Sequence, residues 1–172
     1  AKNIPPGNFR NEFGFIKHNT YDHKLWLSIK EDAFNKIKNI NPTLYGYDKM
    51  NEAIINTKNN INTVDSEFDL ITENIDFFKV EKPVKKGMLI MNPPYNVRIQ
   101  QDEILEFYND IGTRLKHNWS DFDAWVFSGD LQALKRIGLR PKRRISLFNG
   151  SIESKLVHLP LYMGSKRKGP QK

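Results

Sequence analysis

Two consecutive prolines, Pro93 and Pro94, follow a short apolar run, Gly87-Met88-Leu89-Ile90-Met91, and precede a long amphipathic stretch. A proline has no backbone N–H and fixes its own φ, so neither can sit inside a central strand. The apolar run must therefore stop as a strand at Asn92, and the turn after it is stiff. Asn92 and Tyr95 flank the prolines, so an amide and an aromatic ring are held with little freedom at a strand's carboxyl end. In open α/β sheets that is the edge where ligands bind. The tetrapeptide points to an enzyme acting on a planar amine.

The pattern around this turn is one of alternating helices and strands. Residues 1–18 are irregular and carry Phe9, Phe13 and Phe15. Apolar residues at helical spacing (Leu25, Ile29, Ala33 or Phe34, Ile37) predict a helix over 21–40, capped by Thr20 or Asn19, with Trp26 and Phe34 in the core. Pro42 closes that region. Strands are predicted over 43–47, ending at Asp48, and over 68–72. A helix over 51–60 lies between them with Ala53, Ile54 and Thr57 inward. A turn over 74–78 and a polar loop lead to the strand 87–91. Ile104, Leu105, Tyr108, Ile111 and Leu115 mark an amphipathic helix over 101–117. A strand over 124–128 and a short helix ending at Gly138, a plausible C′ residue, come next. Two period-two runs, 143–148 and 152–159, are separated by Asn149-Gly150, a strong hairpin signal. The sum is a three-layer α/β fold with a mostly parallel sheet and a C-terminal antiparallel hairpin.

The 172 residues suffice for one domain with a core, expected over 1–163, followed by a basic disordered tail over 164–172. No apolar run approaches the roughly 18 residues of a membrane span, and the N-terminus has no signal-peptide pattern. Cysteine is absent, which removes disulfides, thiolate metal sites and cysteine nucleophiles. A cytoplasmic protein without membrane contact is expected. The 27 basic and 20 acidic residues leave a net charge of +7. That excess suits a nucleic-acid partner, though a merely lysine-rich protein would show it too. Lys135, Arg136, Arg140, Lys142, Arg143 and Arg144 are clustered, either as a nucleic-acid contact or as a solvated face.

Asn92-Pro93-Pro94-Tyr95 carries the most specific chemistry. An exocyclic amine on a nucleobase is a weak nucleophile because its lone pair is delocalised into the ring. The Asn92 side-chain oxygen and the Pro93 carbonyl are two acceptors that can grip one NH2 group. Tyr95 offers a flat face to a flipped-out base, a contact worth roughly 1–3 kcal/mol. Asp48, between a strand and a helix, can bond the two hydroxyls of a ribose, or can simply cap the helix. Asp76, in a turn, can accept from an adenine amine with Phe77 or Phe78 against the ring, or can form an Asx-turn. His18, His23, His117 and His158 have no metal-ligand spacing, so no metal is expected. There is no Gly-rich phosphate loop and no Gly-x-Ser-x-Gly elbow, and Glu153 is expected to face solvent.

The run 87–98, with Gly138-Leu139-Arg140-Pro141-Lys142-Arg143-Arg144 and Leu147-Phe148-Asn149-Gly150-Ser151-Ile152-Glu153, resembles the ribosomal RNA large-subunit guanine-N2 methyltransferases. That family is often labelled N6-adenine-specific DNA methylase because of its Asn-Pro-Pro-Tyr motif. The opening stretch, Asn3 to Phe15, is similar to the segment that follows the family's first motif. The resemblance implies a Rossmann-like fold dependent on S-adenosylmethionine. It matches Asp48 to the acidic residue on the cofactor ribose, and Asp76, beside Phe77, to the one at the adenine. It matches Asn92, Pro93, Pro94 and Tyr95 to the catalytic motif and Arg98 to the basic residue after it. Where the family usually has Gly after the tyrosine, this chain has Asn96, a residue that tolerates left-handed backbone.

The family's glycine-rich first motif and its upstream RNA-binding module have no counterpart in these residues. The chain thus resembles a C-terminal catalytic fragment whose sheet lacks its first strand. Weak cofactor binding is then expected. The gap in the sheet is expected to close by direct pairing of the neighbouring strands or by another chain, since an open edge is a template for self-association. The leading reading is methyl transfer to guanine N2 of large-subunit ribosomal RNA, with Arg98, Arg140, Lys142, Arg143 and Arg144 on the nucleic acid. The alternatives are an N6-adenine DNA methyltransferase and a non-catalytic basic domain that only contacts nucleic acid.

Overall fold

The computed structural model describes residues 2–5, 7, 10, 12–64, 69–95 and 101–164. The chain divides into two units, Ala1–Phe77 and Phe78–Lys172.

The first unit begins with a 3-10 turn, Gly14–Lys17, and then α1, His23–Asn35. Asp22, not Thr20 or Asn19, caps α1, accepting the Leu25 N–H at 3.0 Å. The Thr20 hydroxyl is instead engaged 2.8 Å from His18 Nδ1. The helix is shorter than its apolar spacing suggests, because residues 37–42 run without helix into the next strand. Its aromatics are not the core expected of them. Trp26 is half-buried, its ring centroid 5.2 Å from that of Phe13 and 5.0 Å from that of Phe15. Leu25, Ile29 and Phe34 are exposed. A two-stranded sheet and one further helix give this unit too little apolar surface to cover them.

That sheet pairs β1, Thr43–Asp48, with β2, Asp69–Asn74, in parallel, Thr43 opposite Asp69 and Asp48 opposite Asn74. The crossover between them is α2, Asn51–Val64, which buries Ile54. Thr57, expected inward, is exposed and returns its hydroxyl to the Ala53 carbonyl at 2.8 Å. Such a bond lets a hydroxyl sit on a helix without a tertiary partner.

The second unit is built on a four-stranded sheet of order β3-β4-β6-β5. β3 is Gly87–Met91 and pairs in parallel with β4, Phe122–Ser128. β6, Ile152–Pro160, runs antiparallel to β4, and β5, Arg143–Asn149, antiparallel to β6. Between β3 and β4 comes α3, Gln101–Asn118, whose buried stripe is Ile104, Tyr108, Ile111, Gly112 and Leu115. β4 buries Phe122, Ala124, Val126 and Ser128, and β6 buries Val157 and Leu159. These residues alternate along their strands because successive side chains face opposite sides. α4, Leu131–Arg136, is capped by Asp130 and ends at Gly138, whose φ of +69° is the left-handed C′ geometry that glycine allows.

The expected hairpin joins β5 to β6, but one residue later than Asn149-Gly150. Asn149 is still a strand residue opposite Ile152, and the two-residue loop is Gly150-Ser151. Only Gly150 has a positive φ, +61°, which is the type II′ turn with glycine first.

The α/β class, the parallel strands and the terminal hairpin are all present. Among the described residues the strands form two sheets, β1-β2 and β3-β4-β6-β5, so the direct pairing expected across the gap is not among their ladders.

Candidate active site

β3 ends where the prolines require. Asn92 is exposed, Pro93 buried, Pro94 exposed and Tyr95 half-buried. Among the described residues the Asn92 amide makes no hydrogen bond, so its carbonyl oxygen is free for a ligand. Pro94 is held from behind. Tyr108, wholly buried on α3, places its hydroxyl 2.7 Å from Ser128 Oγ and 3.4 Å from the Pro94 carbonyl, to which it donates. Ser128 Oγ in turn accepts the Asp130 N–H at 3.0 Å. Burial pushes the Tyr108 phenol up to about 12, and nearby Asp130 and Tyr95 push the same way against the Ser128 bond. The group is therefore a neutral structural donor at any ordinary pH.

Tyr95 is held through its ring and its hydroxyl. Its ring meets Phe127 edge to face, centroids 6.2 Å apart at 79°. Asn149 Nδ2 donates to its hydroxyl at 2.8 Å. A methyl group on Gly129 would lie 2.8 Å from both Tyr95 Cε2 and Ile152 Cγ2, so only glycine leaves the ring its place. Sequence reasoning placed Tyr108 on an apolar helix stripe and Ser128 at a strand end without seeing that they support this turn, did not single out Gly129, and read Asn149 as a turn residue only. One signal was available: a serine and a glycine closing an apolar strand mark a polar, closely packed strand end.

The first unit has its own strand edge. At the carboxyl ends of β1 and β2 the Asp48 carbonyl accepts Asn74 Nδ2 and the Ile75 N–H, both at 2.9 Å. These bonds bring Asp48 to the turn that carries Asp76 and Phe77. Asp48 Oδ1 accepts the Met50 N–H at 2.7 Å. Among the described residues Oδ2 has no partner, so the carboxylate is oriented and still able to accept from a hydroxyl. That donor set suits a ribose diol.

Of the basic residues, Arg98 lies outside the described residues, as does the tail from 165 onward. Arg140, Lys142, Arg143 and Arg144 are exposed. Arg143 and Arg144 are neighbours on the edge strand β5, so their side chains leave opposite faces of the sheet. No cluster of three or more His, Cys, Asp or Glu that could hold a metal occurs among the described residues. No helix among them is long and apolar enough to cross a membrane.

Three comparisons bear on this arrangement. The chain is similar to a protein of Synechocystis named "Putative RNA methyltransferase slr0064", with 35% identity over 93% of this chain and 42% of that protein. It is similar to "Ribosomal RNA large subunit methyltransferase K/L" of Cellvibrio japonicus, with 30% identity over 91% of this chain and 22% of that one. The chain thus spans less than half the length of these curated relatives. Its fold matches the solved structure of SMU.472, described as "a putative methyltransferase complexed with SAH", with a TM-score of 0.73, 20% identity, 95% of this chain and 44% of that one. That likeness establishes a methyltransferase-type α/β fold. Residues 1–158 match the family model described as "RMKL-like, methyltransferase domain". With nine-tenths of its length inside that model, and with the Asn92–Tyr95 turn at the end of β3, the chain belongs to the RMKL-like methyltransferase domain family.

Proposed function

We propose that this chain is the catalytic part, residues 1–163, of a cytoplasmic enzyme that methylates guanine N2 in large-subunit ribosomal RNA. The observation that carries the reading is the Asn92 amide, without a hydrogen bond among the described residues, near a firmly seated Tyr95 at the carboxyl end of β3. The names of the ribosomal RNA methyltransferase relatives support the choice of RNA.

The methyl donor is S-adenosylmethionine, supported by the product complex in the SMU.472 structure, and it supplies an electrophilic sulfonium-bound methyl group. As the resemblance implies, Asp48 would accept from the ribose hydroxyls and Asp76 from the adenine amine, with Phe77 against the adenine, and Asn92 is the second unit's residue assigned to the cofactor. Asn92 Oδ1 and the Pro93 carbonyl accept the two protons of the target amine. This draws electron density onto nitrogen and aims its lone pair at the methyl carbon. Tyr95 stacks on the extruded base. The N–C bond would form as the methyl–sulfur bond breaks, its electron pair staying on sulfur to leave a neutral thioether, and the amine's surplus proton would pass to water. Catalysis on this account is positioning and dipole alignment. Arg98, Arg140, Lys142, Arg143 and Arg144 contact phosphates. β3, the terminal strand of the β3-β4-β6-β5 sheet, is a candidate edge for self-association.

The test is methyl transfer by the full-length protein from labelled S-adenosylmethionine to unmodified large-subunit ribosomal RNA and, separately, to duplex DNA, with nucleoside analysis of the product. N2-methylguanosine is expected. N6-methyladenine in DNA would replace this reading with the adenine-specific one, and no transfer to either would leave a nucleic-acid-contacting domain.

A further inference from the structure

The Asn149 amide lies far from the motif in sequence but touches it in space. The type II′ loop at Gly150-Ser151 leaves Asn149 as the last residue of β5, directly opposite Ile152. Side chains of opposed residues in an antiparallel pair stand on the same face of the sheet. Both are turned to the Tyr95 turn. Asn149 Nδ2 donates to the Tyr95 hydroxyl at 2.8 Å, and Ile152 Cγ2 and the Tyr95 ring both close on the space above Gly129. Asn149 is itself exposed, so no demand of burial explains its bond. The Cα end of Tyr95 is fixed by the two prolines before it. The Asn149 bond fixes the other end, and Phe127 meets the ring at 79°. A ring pinned at both ends has one plane, and a stacked base inherits it.

We propose that Asn149 is a positioning residue: the C-terminal hairpin delivers its amide to the phenol end of Tyr95 and so sets the plane on which the target base stacks. The inference rests on the reading that Tyr95 stacks the base. It makes the hairpin part of the site's mechanics as well as the finish of the sheet.

The test has two arms, both on the full-length protein. In the first, tyrosine is labelled with carbon-13 at Cζ, and the Tyr95 resonance is identified by its loss in Tyr95→Phe. Asn149→Ala should shift that resonance and leave the other tyrosine resonances in place. In the second, kcat/KM for methyl transfer is measured for Asn149→Ala, Tyr95→Phe and the double variant. Each single change should lower it by about tenfold, the scale of one lost hydrogen bond, and the double variant should lose no more than either. A hairpin acting only as structure would instead give losses that multiply to about a hundredfold. Multiplying losses, an unshifted Tyr95 resonance, or full activity in Asn149→Ala would each overturn the proposal. If the unsubstituted protein transfers no methyl group, the functional reading falls and the positioning role with it, while the resonance still decides whether the contact exists.

Discussion

Tyr108 on α3 and Ser128 at the end of β4 share a wholly buried hydrogen bond of 2.7 Å, and the same phenol reaches the Pro94 carbonyl at 3.4 Å. The pair ties the helix after the Asn-Pro-Pro-Tyr turn to the strand beside it. Its energetic signature depends on pH. An unfolded tyrosine ionises near 10, and the folded phenol keeps its proton to about 12. The fold favours the neutral form, so the contribution is complete below pH 10 and drains away as pH rises toward 12. At the upper end the loss is roughly 2–3 kcal/mol. Urea titrations of the wild type and of Tyr108→Phe across that window should show the stability difference between them shrinking by about that amount.

Gly112 sits where α3 meets the end of α4. An added methyl group would fall 1.9 Å from the Ile137 carbonyl oxygen and 2.9 Å from its Cα, which are backbone atoms that cannot rotate aside. In an exposed helix, alanine in place of glycine would gain about 1 kcal/mol. Here Gly112→Ala should lose about 3 kcal/mol, because the two helices must separate. A lowered urea midpoint measures it.

Asp130 caps α4 through Oδ1, which accepts the Gln132 N–H at 3.0 Å and the Ala133 N–H at 2.8 Å. A six-residue helix has little internal support, so its cap weighs heavily. Asp130→Ala should cost about 1 kcal/mol, and Asp130→Asn should recover most of it. The comparison of the two by thermal unfolding separates capping from charge.

Much of this architecture was legible because its signals are local. β3 over Gly87–Met91 follows from an apolar run stopped by two prolines, and α3 from a strict apolar stripe. Gly138 as a C′ residue follows from its backbone freedom. The shortfalls arise where neighbours decide. Leu25 and Phe34 have helical spacing, but the pattern does not say whether a surface exists to cover them. Asn149-Gly150 announces a hairpin, but its register is one residue later, since glycine can lead a type II′ loop as readily as follow asparagine in a type I′ one. The site shows the same division. Asn92 and Tyr95 are visible in four consecutive residues. The groups that seat Tyr95, namely Phe127, Gly129, Asn149 and Ile152, are gathered from three strands and a turn, and no sequence spacing links them to it.

The central claim is that the Asn92 amide grips the target amine. Asn92 is exposed and makes no hydrogen bond among the described residues, so its side chain contributes little to the fold. The direct measurement is single-turnover methyl transfer to unmodified large-subunit ribosomal RNA by full-length Asn92→Ala, beside its thermal unfolding midpoint. The account predicts a rate at least about a hundredfold lower with an unchanged midpoint, as expected when an acceptor in the transition state is lost. A wild-type rate in this variant would contradict it.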